Sequence, residues 1–145
     1  MIGELGNSGS IPVLHAAMNF AARRHQLLAS NIANFSTPNF VPLDVSVKGF
    51  QKQLGEAMDR RRDRTGSATG ELQIKATSEV RQDATGRLVL RPSTPNDNIM
   101  FHDGNNRDVE SQMQSMVENG TVYRLASDML KARFDLLRSA ISERA

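Results

Sequence analysis

The chain contains no cysteine, no tryptophan and a single tyrosine among its 145 residues. Without thiols there is no disulfide framework, no thiolate nucleophile and no cysteine-held zinc or iron–sulfur centre. Aromatics make up 5% and apolar residues 39% of the chain, and the mean hydropathy is −0.43, so any core is modest. Glycine (10) and proline (5) are too few for a fibrous or wholly disordered sequence. An excess of one charge is missing too. Eighteen Lys and Arg against sixteen Asp and Glu leave +2, too little for bulk binding to nucleic acid or anionic lipid. The stretch Ile11 to Ala22 falls well short of the ~20 apolar residues that span a bilayer. The start carries Glu4 in place of a basic segment, with Gly, Asn and Ser where a secretory leader is apolar, so no cleavable signal peptide is expected. The length alone favours one domain.

What is present is helical periodicity at both ends. Residues 1–10 are small and polar and read as a flexible N-terminus. Ser10 and Pro12 then suit a helix start, because proline has no N–H to lose in the first turn. Over 11–34, Leu14, Met18, Ala21, His25, Leu28 and Ile32 recur at alternating steps of four and three. Val13, Ala17, Phe20 and Leu27 form a second row. Asn34 tolerates the left-handed conformation of a helix end, and Pro38 pushes Thr37 extended.

Residues 35–107 read as a turn, a short helix at Phe50, Leu54 and Met58, a charged loop from Arg60 to Gly70, and a small β or irregular segment. In that segment Leu72, Ile74 and Ala76 alternate, and Val80, Leu88 and Leu90 flank Asp83 to Gly86, suggesting a small hairpin region. The run from Asn96 to Asn106 reads as irregular.

The segment 108–145 carries the strongest pattern. Val109, Met113, Met116, Gly120, Tyr123, Ser127, Leu130, Phe134, Leu137 and Ile141 keep a 4-3-4-3 spacing, a heptad seam in which Gly120 and Ser127 are weak. Asp108 is the expected N-cap. At 1.5 Å per residue this helix is about 50 Å long and the first about 30 Å. Packing supplies most helix stability, so the surplus stripe calls for another chain. An ordinary intramolecular helix pair with exposed ends remains the alternative at this point. The fold class is mainly α, with long terminal helices and a small extended or β-containing middle.

A search for chemistry returns little. His15 and His25 lie about 80° apart on the first helix, unlike a metal-binding pair one turn apart, and His102 stands alone. There is no nucleophile elbow, dinucleotide fingerprint or phosphate loop. Glu110, Glu118, Asp128 and Asp135 fall outside the heptad seam, where solvated charge is expected. Arg60–Arg64 is interrupted by Asp63 and lacks interleaved aromatics, which favours a solvated loop or protein contact over a nucleic-acid site. No catalytic residue, cofactor site or metal ligand emerges, and no enzyme activity is expected.

The stretch Ala29-Ser-Asn31-Ile-Ala-Asn34-Phe-Ser-Thr37-Pro38-Asn39-Phe40, closing the first helix, resembles the signature of the bacterial flagellar basal-body rod protein family and its hook relatives. Asp103-Gly-Asn-Asn106, Asp108, Glu110, Met113, Glu118-Asn119, Tyr123 and Arg133-Phe134 to Ile141 narrow the likeness to the proximal rod. Asn39 stands where the family usually has Gly and still permits a positive φ; Arg107 stands where an apolar residue is usual.

The resemblance implies that the terminal helices form a coiled-coil-like inner domain stacked around the flagellar axis. Many copies would link the membrane ring to the distal rod and carry torque for motility. It implies a subunit interface built on Leu14, Met18, Ala21, Leu28, Ile32, Val109, Met113, Met116, Tyr123, Leu130, Phe134, Leu137 and Ile141, with Asn31, Asn34, Thr37, Pro38 and Phe40 forming the motif turn. The implied partners are copies of the chain, other rod subunits, ring–rod adaptor proteins and the flagellar export apparatus, with no nucleic acid, small-molecule substrate or cofactor. The implied location is the rod within the periplasmic space. Readings of other classes are a stand-alone coiled-coil adaptor or regulatory protein, and a nucleic-acid module using Arg60–Arg64.

Overall fold

Helix α1 (Ile11–Ala33) starts with Pro12 in its first turn, where a missing N–H costs nothing. A computed structural model describes residues 8–83, 85–94 and 109–143. The expected cap Asp108, His102, Arg107 and the run Asn96 to Asn106 lie outside the described residues. The C-terminal end of α1 differs from expectation. Asn34 has φ −98, not a left-handed value, and its Nδ2 donates to the Ser30 carbonyl at 2.8 Å. The same carbonyl accepts the Asn34 main-chain N–H at 3.1 Å, so main chain and side chain of one residue close the helix without a left-handed turn.

Helix α2 (Val47–Thr65) is longer than the apolar spacing suggested. Ser46 caps it, with Oγ accepting from the Gly49 N–H at 3.0 Å, while Glu79 Oε2 accepts from the Ser46 N–H at 2.8 Å. Arg60–Arg64, expected in a loop, form its last turns. The chain breaks only at Gly66, whose φ of 65 closes the helix with an N–H donated to the Arg62 carbonyl. Arg62 and Arg64 suit the negative end of the helix dipole, so a charged run is helical without an apolar stripe of its own.

Strands β1 (Val80–Gln82) and β2 (Leu88–Leu90) pair antiparallel, Val80 opposite Leu90 and Gln82 opposite Leu88. Asp83 Oδ1 organises the turn, accepting from the Thr85 hydroxyl (2.6 Å) and the Thr85 and Arg87 N–H groups (2.8 and 2.9 Å). Leu72, Ile74 and Ala76 form no strand. Leu72 and Ile74 are nonetheless buried, and the Ile74 N–H donates to the Gln82 side chain in place of a ladder partner.

The core sits among α1, α2 and the hairpin. Ala16, Phe20, Val45, Phe50, Ala57, Leu72, Ile74, Val80 and Leu88 form one buried cluster. At its centre the Phe20 and Phe50 rings stack at 4.0 Å, 1° from parallel. The second apolar row of α1 therefore serves the globular middle, with Val13 and Leu27 packed at its edge. Helix α3 (Val109–Ser142) lies outside this cluster and packs on α1.

Candidate functional site

The α1–α3 pair is antiparallel. Asn31 meets Gln112 near one end, Ala21 meets Asn119 further along, and Ile11 and Val13 share a cleft with Leu136 and Leu137 at the other. Contact thus runs along nearly the whole of α1, which at 23 residues is shorter than the 34-residue α3. The surplus lies in circumference as well as in length. One neighbouring helix covers a stripe roughly 100° wide, and within α3 only Asn119 and Ala126 are buried.

Nine of the twelve large apolar side chains exposed among the described residues belong to α3. They flank the covered stripe on both sides. Met113, Phe134 and Ile141 (52%, 49% and 61% exposed) follow one row of the expected seam. Val122, Leu125, Met129 and Leu136 follow another row, at steps of three, four and seven. A helix that bares both flanks in this way is half-packed.

The expected interface residues divide accordingly. Ala21 and Leu28 have no exposed surface, so in this conformation their own chain covers them completely. Leu14, Met18, Ile32, Val109, Met116, Leu130 and Leu137 are half-buried. Tyr123 is exposed with Met113, Phe134 and Ile141. His25, expected on the seam, is exposed, as is His15. The sequence reading missed Gln112 and Ala126 and had Asn119 only as part of the family likeness; all three lie just off its heptad register. It also missed the Val122–Leu136 row, whose spacing was visible but competed with a longer pattern.

The motif turn is the hinge of this surface. Asn31, 5% exposed, donates from Nδ2 to the Leu43 carbonyl (2.8 Å) and to Gln112 Oε1 (3.1 Å), and its Oδ1 accepts from the Leu43 N–H (3.2 Å). One amide joins α1, the returning strand-like segment and α3. Beyond it, the Thr37 N–H donates to the Asn34 carbonyl and the Phe40 N–H to the Thr37 carbonyl. Pro38 followed by Asn39 at φ 59 has the residue pattern of a type II turn. The turn leaves Phe35, Val41 and Leu43 exposed.

Arg24 and Asp44 anchor the same corner with a two-pronged ion pair, Nε to Oδ1 at 2.8 Å and a terminal nitrogen to Oδ2 at 2.6 Å. Asp44 also bridges to Ser93 through reciprocal main-chain bonds of 3.0 Å. The middle of the chain is thereby fixed to the helix that carries α3.

Among the described residues no group of three or more His, Asp or Glu is placed to hold a metal ion, and no helix is long and apolar enough to cross a membrane. What the geometry offers is a long helix covered along one stripe and bare on the apolar flanks to either side of it.

No family model matches the chain. It is similar to proteins described as flagellar basal body rod protein FlgB. That of Borrelia hermsii is 28% identical over 129 residues, covering 86% of this chain and 90% of the relative. That of Escherichia coli K12 is 26% identical over 133 residues (85% and 88%). That of Yersinia enterocolitica is 28% identical over 139 residues (93% and 95%). The relatives bear the family name that the residue pattern suggested, and the likeness includes the middle of the chain.

Proposed function

We propose that this FlgB-like chain is a structural, non-catalytic subunit of the proximal rod of a flagellar basal body. Its terminal helices polymerise by coiled-coil-like packing into a segment that links the membrane ring to the distal rod and transmits torque. The supporting observation is the distribution of apolar surface on α3. Two exposed flanks on one helix give each subunit two different surfaces to offer. Contacts between unlike surfaces are heterologous, and where their rotation does not close into a ring they generate helical filaments.

On this reading the subunit interface is the exposed set Met113, Tyr123, Phe134 and Ile141, extended by Val122, Leu125, Met129 and Leu136. Half-buried Leu14, Met18, Ile32, Val109, Met116, Leu130 and Leu137 support it from within. The partners are further copies, neighbouring rod subunits and ring–rod adaptors, reached through the flagellar export apparatus, and the site of assembly is the periplasmic space.

The test is a charge placed on a bare flank. Phe134→Asp leaves the helix content and unfolding midpoint of the isolated chain near wild type, because Phe134 is half exposed, yet abolishes incorporation into basal bodies and swimming in cells lacking the native copy. Leu125→Asp tests the second flank in the same way. Normal rods from both variants would refute the assignment. A discrete small oligomer of the purified chain, disrupted by the same substitutions while rods remain normal, would instead identify a stand-alone coiled-coil adaptor.

A further inference from the structure

At the open end of the α1–α3 pair lies a cleft of about 340 Å³, where the start of α1, the last turns of α2 and the far part of α3 meet. Its lining includes Arg61 from α2, Arg133 from α3 and Ser10 at the N-cap of α1, and no acidic side chain of the described residues. Arg61 is 4% exposed. One of its terminal nitrogens donates to the Gly9 carbonyl at 2.6 Å, while Nε and the other terminal nitrogen are buried with no hydrogen-bond partner. The Ser10 Oγ is likewise buried without a partner, and makes no capping bond to its helix. Two residues that line one cavity, at the positive end of a helix, therefore each carry a sealed polar group without a partner.

Buried polar groups are nearly always satisfied, and a guanidinium presents its donors in a planar fork matched to an oxyanion. We propose that this cleft is an oxyanion site that receives an acidic side chain of a neighbouring subunit, with the carboxylate bound by Arg61 Nε and its free terminal nitrogen and by the Ser10 hydroxyl. The cavity is much larger than a carboxylate group and is walled by Ile11, Val13, Met58, Leu136 and Leu137, so it suits a charge carried on protein more than a free ion. It also opens beside Leu136, which is 61% exposed on a bare flank of α3. The neighbour as source rests on the rod reading above; the oxyanion chemistry stands on the cleft alone.

Two measurements separate these. In the intact purified chain, the Arg61 Nε–H resonance is followed while acetate or inorganic phosphate is added. A saturable shift with acetate that is absent from the other arginines supports the site, and no selective shift overturns it. A response to phosphate with none to acetate overturns the carboxylate. Because the guanidinium has no carboxylate partner among the described residues and keeps a single hydrogen bond, to the Gly9 carbonyl, Arg61→Met leaves the unfolding midpoint unchanged or raised; a clear drop would mark Arg61 as structural and overturn the proposal.

In cells, Arg61→Gln reduces incorporation into rods by about tenfold or more, as expected when one partner of a buried charge pair is removed. In basal bodies built with R61K, a carbodiimide couples the substituted position to an Asp or Glu of an adjacent subunit, and peptide mass spectrometry reads the pair. Acetate binding combined with normal rods from Arg61→Gln and no cross-link overturns the neighbour as the source and leaves a free anion. Failure of the rod reading appears separately, in the Phe134→Asp variant.

Discussion

Asn119 Nδ2 donates to the main-chain carbonyl of Ala21 at 2.7 Å, joining positions 98 residues apart inside the α1–α3 contact. Ala21 is fully buried and Asn119 is 5% exposed, so the amide has no access to water as a substitute partner. A single polar group in an apolar helix pair fixes register, because any slide along the axis strands it. Small residues, Ala21 and Ala126, let the two backbones approach closely enough for the bond to form.

Replacing Asn119 by Ala removes this bond from a buried site, and the isolated chain should lose about 1–2 kcal/mol in denaturant unfolding. Asn119→Leu should recover much of that loss through apolar contact while relaxing the register. Paired cysteines introduced along α1 and α3 would read this out as cross-links at more than one spacing.

Asn31 uses its amide as donor twice and acceptor once. Asn31→Asp keeps the acceptor but turns a carboxylate toward two oxygens, and should cost about 2–3 kcal/mol at neutral pH. The introduced carboxyl is disfavoured when charged, so its folded-state pKa lies above its unfolded value. Stability of this variant relative to wild type should therefore recover as pH falls through that raised pKa, where the protonated acid can donate. Parallel urea titrations of the two proteins across the acid range would check it.

Phe20 and Phe50 stack at the centre of the core. Either Phe→Ala change should cost about 3–5 kcal/mol, a large share of the stability of a domain this size. The double variant should fall short of the sum by about 1 kcal/mol, the interaction energy of the ring pair. Thermal unfolding of the four proteins in a cycle gives the number.

Asp83 is held below the ordinary carboxyl value of 3.8, first by the Thr85 hydroxyl and then by the Arg87 N–H. Its folded pKa is depressed, so the stabilisation is complete above 3.8 and is lost as pH falls through the lower folded value. A carbon-detected titration of the Asp83 carboxyl should place its midpoint below that of an Asp in an unfolded peptide. Thr85→Val should move it back up.

The legible parts of this fold were those written in local pattern. The apolar rows of α1, the long repeat of α3, and the Asp83–Gly86 turn flanked by Val80, Leu88 and Leu90 all announce themselves because backbone geometry imposes periods on side chains. Pro38 before Asn39 likewise marked a turn, and Asn39 takes the positive φ its side chain tolerates. Arg60–Arg64 misled for a physical reason. Positive charge at a helix C-terminus is favourable, and a loop and a polar last turn look alike in composition. Arg61, buried in a cleft, carries no local mark that separates it from its solvated neighbours.

By itself the sequence determined that two helices close the ends of a chain with a modest middle, that α3 is apolar beyond what one helix needs, and that the Asn31–Phe40 stretch resembles a rod-family turn. Tertiary structure alone decided which rows are covered. Spacing states which residues share a side of a helix, but not which side meets a neighbour, and adjacent rows of α3 are almost equally apolar. The choice fell to Asn31, Asn119 and the small alanines, whose hydrogen bonds and close approach act between segments about a hundred residues apart. That choice left Phe134 and Leu125 on the outside.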